Sequence, residues 1–436
     1  MARPPVPDAL DSSTNPLDVP MGTTGGHSAV SRRFLLQLAR ALHKHGTPAH
    51  GLETALAVTA RRLGLEAEFF STPTSIMVGV GSPEDQRVSL LRVEPGEPNL
   101  GQLSTLSDIT RGVVEGTISP AAGLAQVEAL DREPPAYPRW LSLVAFVLAS
   151  AAVSCFLKVR AGDVLTASLL GLIAGAVAIV SGRWDSTRHV TEPLAAFVVS
   201  TIAFTIDGVM NTRSGFATSL AGLVVLLPGL TFTVALTELS TRHLASGTAR
   251  LSGAIVVFLG LGFGLALGAQ AGGALGPLLH EVMPQLQGTL SRAPLPSWTE
   301  WIALLVAPLS FAVLLSAKRR DIGSIVVACA AAYLVSKFAG ASVGEQLGAF
   351  LGAFVVSAGS NLFARLKRRT PMVTQVPGLL ILVPGSIGLR SMQSLLGQDV
   401  EMGIATAFRV AIIGISLAAG LLAGNVVTTA VNRIRR

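Results

Sequence analysis

Residues Gly222 to Gly229 read GLVVLLPG, and residues Gly378 to Gly385 read GLLILVPG. Five of the eight positions are identical, and the other three exchange Val, Leu and Ile. Both stretches lie inside long apolar runs, where proline removes a backbone donor and glycine adds backbone freedom. In lipid, freed backbone groups are tolerated only where protein or a water-filled cavity receives them. Helices broken at matching places in two halves are typical of a transporter's binding site; two Pro-kinked helices that serve packing only are the plainer alternative.

The composition divides the chain into two parts. Of its 436 residues, 50% are hydrophobic and 14% are charged, whereas a soluble globular protein has about 25% charged residues. Residues 1–30 are rich in Pro, Gly, Ser and Thr, so we expect a disordered tail and no cleavable signal peptide. Charge density is ordinary up to residue 135, and apolar runs begin at Trp140. We therefore predict a soluble domain followed by a membrane domain.

The soluble domain, residues 31–135, has the pattern of a small α+β fold. Two amphipathic helices precede three strand-like runs, at 66–71, 75–80 and 87–93, and two further helices follow. His43, His45 and His50 cluster near the first helix end, where they would suit a metal or a general base. Their spacing fits neither a zinc finger nor an HExxH helix. We favour a solvated helix end and predict no metal, no cofactor and no catalytic residue, hence no enzyme.

The membrane domain contains ten apolar runs of about the length that a bilayer requires. Residues 139–270 hold five of them, 271–300 form a loop, and 301–430 hold the other five. Basic residues concentrate in alternate loops, such as Lys318–Arg320 and Arg365–Arg369, and this bias predicts both termini in the cytoplasm of a cell with the protein in its inner (plasma) membrane. The predicted runs are Trp140–Leu157, Val164–Ser181, Pro193–Met210, Gly215–Leu236, Leu251–Gln270, Trp301–Leu315, Ile322–Phe338, Val343–Phe363, Thr374–Leu396 and Gly403–Val427.

The net charge of +7 reflects the same basic loops that predict the topology. Because the excess is spread over short loops between apolar runs, it does not indicate nucleic-acid binding. Cys155 and Cys329 lie inside apolar runs and are interpreted as small buried hydrophobic residues, not as a disulfide or a metal pair. The expected partners are a small-molecule substrate and the lipid bilayer, and a homo-oligomer is left open.

The two halves of the membrane domain repeat one another. Gly222, Pro228, Gly229, Gly264 and Gly268 recur 156 positions later as Gly378, Pro384, Gly385, Gly420 and Gly424, and AFVVS at 196–200 recurs at 353–357. The last glycine pair of each half forms a GxxxG, which lets helix backbones approach closely. Because each half has an odd number of predicted spans, the second half enters the membrane from the opposite side. This 5+5 inverted repeat favours a secondary transporter, and no Walker loop is present for ATP-driven transport.

Each Pro-Gly pair is followed by the start of a half-helix. Its free N–H groups and positive dipole end suit an anion such as a carboxylate, and the hydroxyls of Thr231, Thr233 and Ser386 lie nearby in sequence. Bonding of these hydroxyls to their own helix is the alternative. The substrate-binding candidates are Pro228, Gly229, Thr231, Thr233, Pro384, Gly385 and Ser386.

Ionisable residues in apolar spans are rare and often functional. Asp207, with Asn211, lies at the end of the third span, and Glu238 lies at the end of the fourth. Arg409 lies deeper in the tenth span, and the sequence does not name its partner. We predict that Asp207, Asn211, Glu238 and Arg409 serve ion coupling, the alternative being side chains that reach water at the interface.

Three stretches resemble the threonine/serine exporter family: 38–80, LARALHKHGTPAHGLETALAVTARRLGLEAEFFSTPTSIMVGV; 223–254, LVVLLPGLTFTVALTELSTRHLASGTARLSGA; and 379–395, LLILVPGSIGLRSMQSL. The resemblance covers the chain from about Ser31 onward. It implies ten spans, a cytoplasmic amino-terminal domain, and export of L-threonine and L-serine driven by the proton motive force. Glu238 stands where the family resemblance leads us to expect Asp.

The sequence thus predicts a proton-coupled exporter of small hydroxylated amino acids. Two alternatives remain. One is a dicarboxylate exporter, because relatives whose halves are separate proteins are linked to succinate export. The other is a soluble enzyme or sensor with a membrane anchor, although one span would suffice for an anchor.

Overall fold

The computed structural model describes residues 26–82, 84–94, 96, 98–184, 190–282, 293–383, 389, 391, 394 and 400–434. Most of the predicted tail and part of the predicted loop 271–300 lie outside these residues. Pro384, Gly385 and Ser386, three of the predicted substrate-binding residues, also lie outside them.

The first part of the chain forms four helices and a three-stranded antiparallel sheet in the order β1-β2-β3. Local sequence sets the boundaries: Gly46, with φ of 84°, ends α1, and Pro48 precedes α2. The side chain of Asn99 accepts the Gln102 N–H at 3.0 Å and caps α3. We call this part the amino-terminal unit; it comprises α1 (Gly26–Lys44), α2 (Ala49–Arg62), β1 (Ala67–Thr72), β2 (Ser75–Val80), β3 (Arg87–Arg92), α3 (Leu100–Glu115) and α4 (Pro120–Leu130).

The amino-terminal unit has its own hydrophobic core. Phe34, Leu35 and Leu38 of α1 are completely buried because their spacing places them on one helix face. They belong to one cluster with Ile76 and Val78, alternate residues of β2 that point to the same side of the sheet. One face of the sheet therefore rests on the helices.

The rest of the described chain forms helices, which we call the helical unit. Seven are long and apolar enough to cross a membrane, and the bent pair α8–α9 makes an eighth. The unit comprises α5 (Arg139–Phe156), α6 (Ala161–Ser181), α7 (Thr191–Met210), α8 (Gly215–Gly222), α9 (Gly229–Ser240), α10 (Leu244–Val282), α11 (Thr299–Leu314), α12 (Ile322–Val343), α13 (Glu345–Lys367), α14 (Met372–Leu380) and α15 (Val400–Ile434).

The chain is therefore a helical membrane protein with a small sheet near its amino end, as the sequence predicts. The ten-span count stays a prediction. The helix α11 is apolar but has only 16 residues. The ninth predicted span, Thr374–Leu396, is described mainly through α14.

The helix α10 is longer than predicted and runs through the start of the predicted loop 271–300. Close packing against α7 accounts for this. A Cβ added at Gly272 would lie 2.4 Å from the Thr201 carbonyl oxygen, and one added at Gly276 would lie 2.9 Å from Gly208 Cα. The glycines thus bring the two backbones into contact, so the helix continues past Gln270 and includes Pro277 in its interior.

The sequence repeat is also a repeat of contacts. A Cβ at Gly264 would lie 2.9 Å from Ala196 Cβ, and a Cβ at Gly420 would lie 3.0 Å from Ala353 Cβ. Each GxxxG therefore packs on the AFVVS segment of its own half, which joins α7 to α10 and α13 to α15. The next glycines repeat the pattern: Cβ atoms at Gly268 and Gly424 would lie 2.7 and 2.6 Å from the Cβ atoms of Ser200 and Ser357.

The amino-terminal unit docks on both halves of the helical unit. The first N–H of α2, at Ala49, donates to the Glu238 carboxylate at the end of α9, with a distance of 2.8 Å. At the start of α3, the Leu100 N–H donates to the Leu315 carbonyl at 2.9 Å, just past α11. The N–H groups at the start of α2 and α3 thus donate hydrogen bonds to acceptors at the ends of α9 and α11, respectively. We call this end of the helical unit the near end, and the opposite end the far end.

Candidate functional site

The first Pro-Gly pair breaks a helix, as predicted. The helices α8 and α9 are joined by a short 3₁₀ turn, Val224–Leu226, and the two parts are bent by 56°. Leu227 is extended, with ψ of 130°, as expected for a residue before proline. Because α9 begins at Gly229, its first N–H groups have no acceptor within the helix.

A central cavity of about 160 Å³ lies between the two halves at this break. Val224, Leu227 and Gly229 come from the first Pro-Gly region, and Leu380 and Val383 directly precede the second. The first break and the described residues just before the second Pro-Gly pair therefore line one space, large enough for a small solute. The remaining described lining is apolar: Val153, Phe156, Leu157, Leu230, Ala307, Phe311 and Ile381.

Three further cavities continue this space along the helical unit. Ile381 also lines a far cavity with Tyr333, Lys337 and Glu345. Leu230 also lines a cavity of about 200 Å³ toward the near end, which we call the chamber. His50, Gly51, Pro371 and Met372 are shared between the chamber and an outer cavity in the amino-terminal unit. Each cavity thus shares lining residues with the next, from the far end to the amino-terminal unit.

The predicted threonines are placed differently from one another. Thr233 is buried, and its hydroxyl donates to the Gly229 carbonyl at 3.1 Å within α9, which is the alternative considered for it. Thr231 is exposed. Pro228 stands at the start of α9, and Gly229 alone of these four lines the central cavity.

Asp207 lies in a polar network at the far end. Its Oδ1 accepts the Thr212 hydroxyl at 2.7 Å and the Ser214 N–H at 3.0 Å. The Ser214 hydroxyl in turn donates to Asp163 Oδ1 at 2.6 Å. Asn211 ends α7 in the left-handed conformation, with φ of 51°. The structure thus adds Asp163, a buried residue at the start of α6 that the sequence analysis missed.

Glu238 lies in a different place, at the near end and under the amino-terminal unit. Its side chain is completely buried. One oxygen accepts the Ala49 N–H, and the other accepts the Ser246 hydroxyl at 2.8 Å. Arg250 lies 3.1 Å away and is the neutralising charge. Both carboxylate oxygens are therefore occupied, one by the docked unit through Ala49 and the other by Ser246 and Arg250 of α10.

The predicted histidine cluster lies at the same interface. His43 Nε2 is 2.8 Å from the Pro73 carbonyl oxygen, and His50 faces His243 with ring centroids 6.2 Å apart. Burial lowers the pKa of His43, His45 and His50 below the ordinary value. His43 and His45 are buried and His50 is partly buried, contrary to the expectation of a solvated helix end. His43 lies against Pro73 of its own unit, and His50 lies against His243 of the helical unit.

Arg409 pairs with Glu345, which lines the far cavity. Its guanidinium donates to Glu345 at the start of α13, with Nε at 2.7 Å. Nearby, Glu300 accepts from the Tyr333 hydroxyl and from Lys337. The far cavity is thus bordered by charges of both signs, whereas no charged side chain among the described residues lines the central cavity.

The sequence analysis also missed a group of amides at the near end. Asn361 Nδ2 donates to Asn425 Oδ1 at 2.8 Å, and Ser357 donates to the same oxygen at 2.9 Å. Both asparagines line the chamber together with Gln375. A polar residue in an apolar run was the available signal. The repeat did not point to the two asparagines, because the matching residues in the first half, Phe204 and Ala269, are apolar, whereas Ser219 matches Gln375.

The described residues contain no group of three or more His, Cys, Asp or Glu that would hold a metal ion. The fold is that of a polytopic helical membrane protein with several internal cavities.

Comparison with known proteins identifies the family. Residues 33–272 match the family model described as "Putative threonine/serine exporter", and residues 300–427 match "Threonine/Serine exporter, ThrE". The chain belongs to the threonine/serine exporter family, as the resemblance of its sequence motifs predicts.

The curated relatives have low sequence identity to the chain. The chain is 27% identical over 82% of its length to pheromone-regulated membrane protein 10 of Eremothecium gossypii, covering 48% of that protein. The protein of the same name from Saccharomyces cerevisiae (strain YJM789) is 26% identical over 84% of the chain, which covers 47% of it. The chain thus spans about half the length of these two relatives. No solved structure matches the chain.

Proposed function

We propose that the protein is a secondary transporter that exports L-threonine and L-serine, coupled to the proton motive force. One observation carries the proposal: the two Pro-Gly regions approach one central cavity, which lies in a row of cavities along the helical unit. Alternating access needs a site between two repeats. Pro384, Gly385 and Ser386, which lie outside the described residues, stay predicted substrate-binding residues in this proposal, together with Gly229.

The proposal includes a topology. Ten spans form a 5+5 inverted repeat in the plasma membrane, with both termini in the cytoplasm. The basic loops Lys318–Arg320 and Arg365–Arg369 adjoin the amino-terminal unit at the near end, where α12 begins and α13 ends. Concentration of basic residues on one side supports a cytoplasmic near end.

Asp207 is the proposed proton carrier. The hydroxyls of Thr212 and Ser214 link its carboxylate to that of Asp163, which gives a short chain of groups able to pass a proton. Glu238 is the weaker candidate because its oxygens are filled by Ala49, Ser246 and Arg250. Asp207→Asn is therefore expected to abolish gradient-driven uptake while keeping exchange of labelled for unlabelled threonine, measured in the same vesicles. Loss of exchange as well, or intact gradient-driven uptake, would contradict this role.

The proposed function is tested by uptake of labelled L-threonine into inside-out vesicles, with and without a proton gradient. Leu230→Trp fills the neck between the central cavity and the chamber and is expected to remove most of the uptake. Leu309→Trp on the exposed side of α11 is the matched control and should transport normally. Uptake of succinate instead of threonine would favour dicarboxylate export. Wild-type vesicles that take up neither solute would refute the proposal.

A further inference from the structure

The chamber has walls from both units. Pro48, His50 and Gly51, at the start of α2, form one side. Leu230 and Thr237 of α9 lie opposite, and the amide-bearing helices α13, α14 and α15 complete the enclosure. A solute that moves between the central cavity and the near end therefore passes against the amino-terminal unit.

The polar groups of the chamber leave hydrogen-bonding capacity for a solute. Asn361 and Asn425 fix one another through the 2.8 Å bond between their amides. Gln375 lines the chamber from α14, and no side-chain hydrogen bond joins its amide to another described residue. An amide offers both donors and an acceptor. A fixed amide pair beside an uncommitted third amide is suited to a solute that both donates and accepts.

His50 contributes a further unsatisfied group. Its Nδ1 is buried and has no hydrogen-bond partner among the described residues. Burial lowers the pKa of His50, and the neighbouring His243 and Arg250 act in the same direction, while Glu238 opposes them. The ring is then neutral near pH 7 and has one donor and one acceptor nitrogen. A buried polar atom without a partner costs free energy, which a bound solute would recover.

The charge of the lining restricts the solute. Among the described residues, no Lys, Arg, Asp or Glu lines the chamber. A dicarboxylate would lose its hydration there without a cationic partner, which is costly. A zwitterion has no net charge, and its carboxylate can use the positive ends of α9 and α14, whose first turns contribute Leu230 and Met372 to the chamber lining. An amino acid with an uncharged polar side chain matches these groups best.

We propose that the chamber is a second binding site for the exported solute, an amino acid with an uncharged polar side chain, and that the amino-terminal unit forms one wall of it. The inference rests on the proposed function for the direction of transport. It assigns to the soluble part of the chain a direct contact with the solute, and it makes Gln375 and His50 binding residues.

The first test compares the two faces of the membrane. Gln375→Leu removes the amide at nearly constant volume without breaking the asparagine pair. It should raise the KM for threonine presented at the near end by about threefold to tenfold, the effect of one lost hydrogen bond. The KM at the far end and the maximal rate should stay unchanged. Gln270→Leu, on the exposed side of α10, is the matched control. Equal KM values for Gln375→Leu and wild type would overturn the proposal.

The second test does not depend on transport. Gln375→Cys is introduced into the full chain after Cys155 and Cys329, the two natural cysteines, are replaced by serine. We expect a membrane-impermeant thiol reagent to label it only from the near end, and threonine or serine to slow the labelling. Wild type that does not transport threonine, together with labelling that a different neutral amino acid slows, would refute the proposed substrate. The same result would support the chamber as a binding site. Labelling that no amino acid slows, or that only succinate slows, overturns the chamber proposal.

Discussion

Glu238 illustrates how one side chain can hold two parts of a protein together. Its carboxylate is completely buried and accepts hydrogen bonds from Ala49 at the start of α2 and from Ser246 on α10. Arg250, largely buried itself, supplies the opposite charge at 3.1 Å. A carboxylate at a helix N-terminus also interacts favourably with the helix dipole. The position therefore links the amino-terminal unit to the helical unit by charge, dipole and hydrogen bond together.

Removal of this carboxylate is expected to destabilise the fold strongly. Glu238→Ala leaves Arg250 buried without a counter-charge, and breaking a buried pair in this way costs about 3–5 kcal/mol. Glu238→Gln keeps an acceptor for the Ala49 N–H and should cost less. The measurement is thermal unfolding of the purified full chain in detergent. Glu128→Ala is the control, because the Arg33–Glu128 pair is exposed and such pairs contribute about 0–1 kcal/mol. Equal effects of Glu238→Ala and Glu128→Ala would contradict the structural role.

Sequence reasoning at this scale found the unusual residues but not their partners. Arg409 was selected because charge is costly in an apolar span, yet its pairing with Glu345 depends on how α13 and α15 pack. Asp163 was missed because it precedes an apolar run and resembles an ordinary helix cap. Its hydrogen bond to Ser214 joins residues far apart in the sequence, which one-dimensional spacing does not reveal.

At the scale of the elements, the repeat was the most informative part of the sequence. The GxxxG pairs and the AFVVS segments were recognised separately, and the structure places each pair on the segment of its own half. Small residues recurring at matching positions encode close helix packing, so this contact could be anticipated. The extension of α10 to Val282 could not, because it depends on packing against α7 rather than on local helix propensity.

The glycine contacts predict that alanine substitutions at two nearby positions of α10 differ sharply in their effect on stability. A Cβ at Gly268 would lie 2.5 Å from the Phe197 carbonyl oxygen, so Gly268→Ala forces α10 away from α7. We expect a loss of about 1–3 kcal/mol, typical of overpacking. A Cβ at Gly273, on the same helix, meets nothing within 4 Å, and Gly273→Ala should be neutral or slightly stabilising because alanine favours the helix. Thermal unfolding of both variants measures the difference.

The second half offers an independent repetition of this experiment. Gly424→Ala should behave like Gly268→Ala, because its Cβ would lie 2.6 Å from Ser357 Cβ, whereas Gly359 on α13 has open space and provides the control. Equal stability of the four variants would show that the two matched contacts do not stabilise the helix pairs within their own halves.

For the whole molecule, the sequence predicted a soluble part and a helical part but not how they join. The docking surface consists of chain ends: α2 and α3 present their N-termini to Glu238 and to the end of α11. Such contacts have no periodic pattern and no charge run, so composition and spacing do not indicate them. The histidines near Gly46 were read as solvated for this reason. Their environment depends on contacts between residues far apart in the sequence, such as His43 with Pro73 and His50 with His243.

This burial predicts that a fall in pH lowers the stability of the amino-terminal unit. Burial lowers the pKa of His43, His45 and His50 in the folded protein, so the unfolded unit binds more protons than the folded one. Stability therefore rises with pH across the window from the lowered folded pKa values up to about 6.5, and it falls as the pH drops through that window. Hydrogen-exchange protection factors of α1 and α2 should accordingly decrease between about pH 7.5 and 5.5.

The double variant His45→Gln/His50→Gln isolates this effect. Each side chain has a buried nitrogen without a hydrogen-bond partner among the described residues, so glutamine removes the titration while breaking few contacts. The decrease in protection on acidification should be smaller than in wild type, because fewer groups take up protons on unfolding. His280→Gln on α10, in the helical unit, should keep the wild-type response. An unchanged pH dependence in the double variant would contradict this role of His45 and His50.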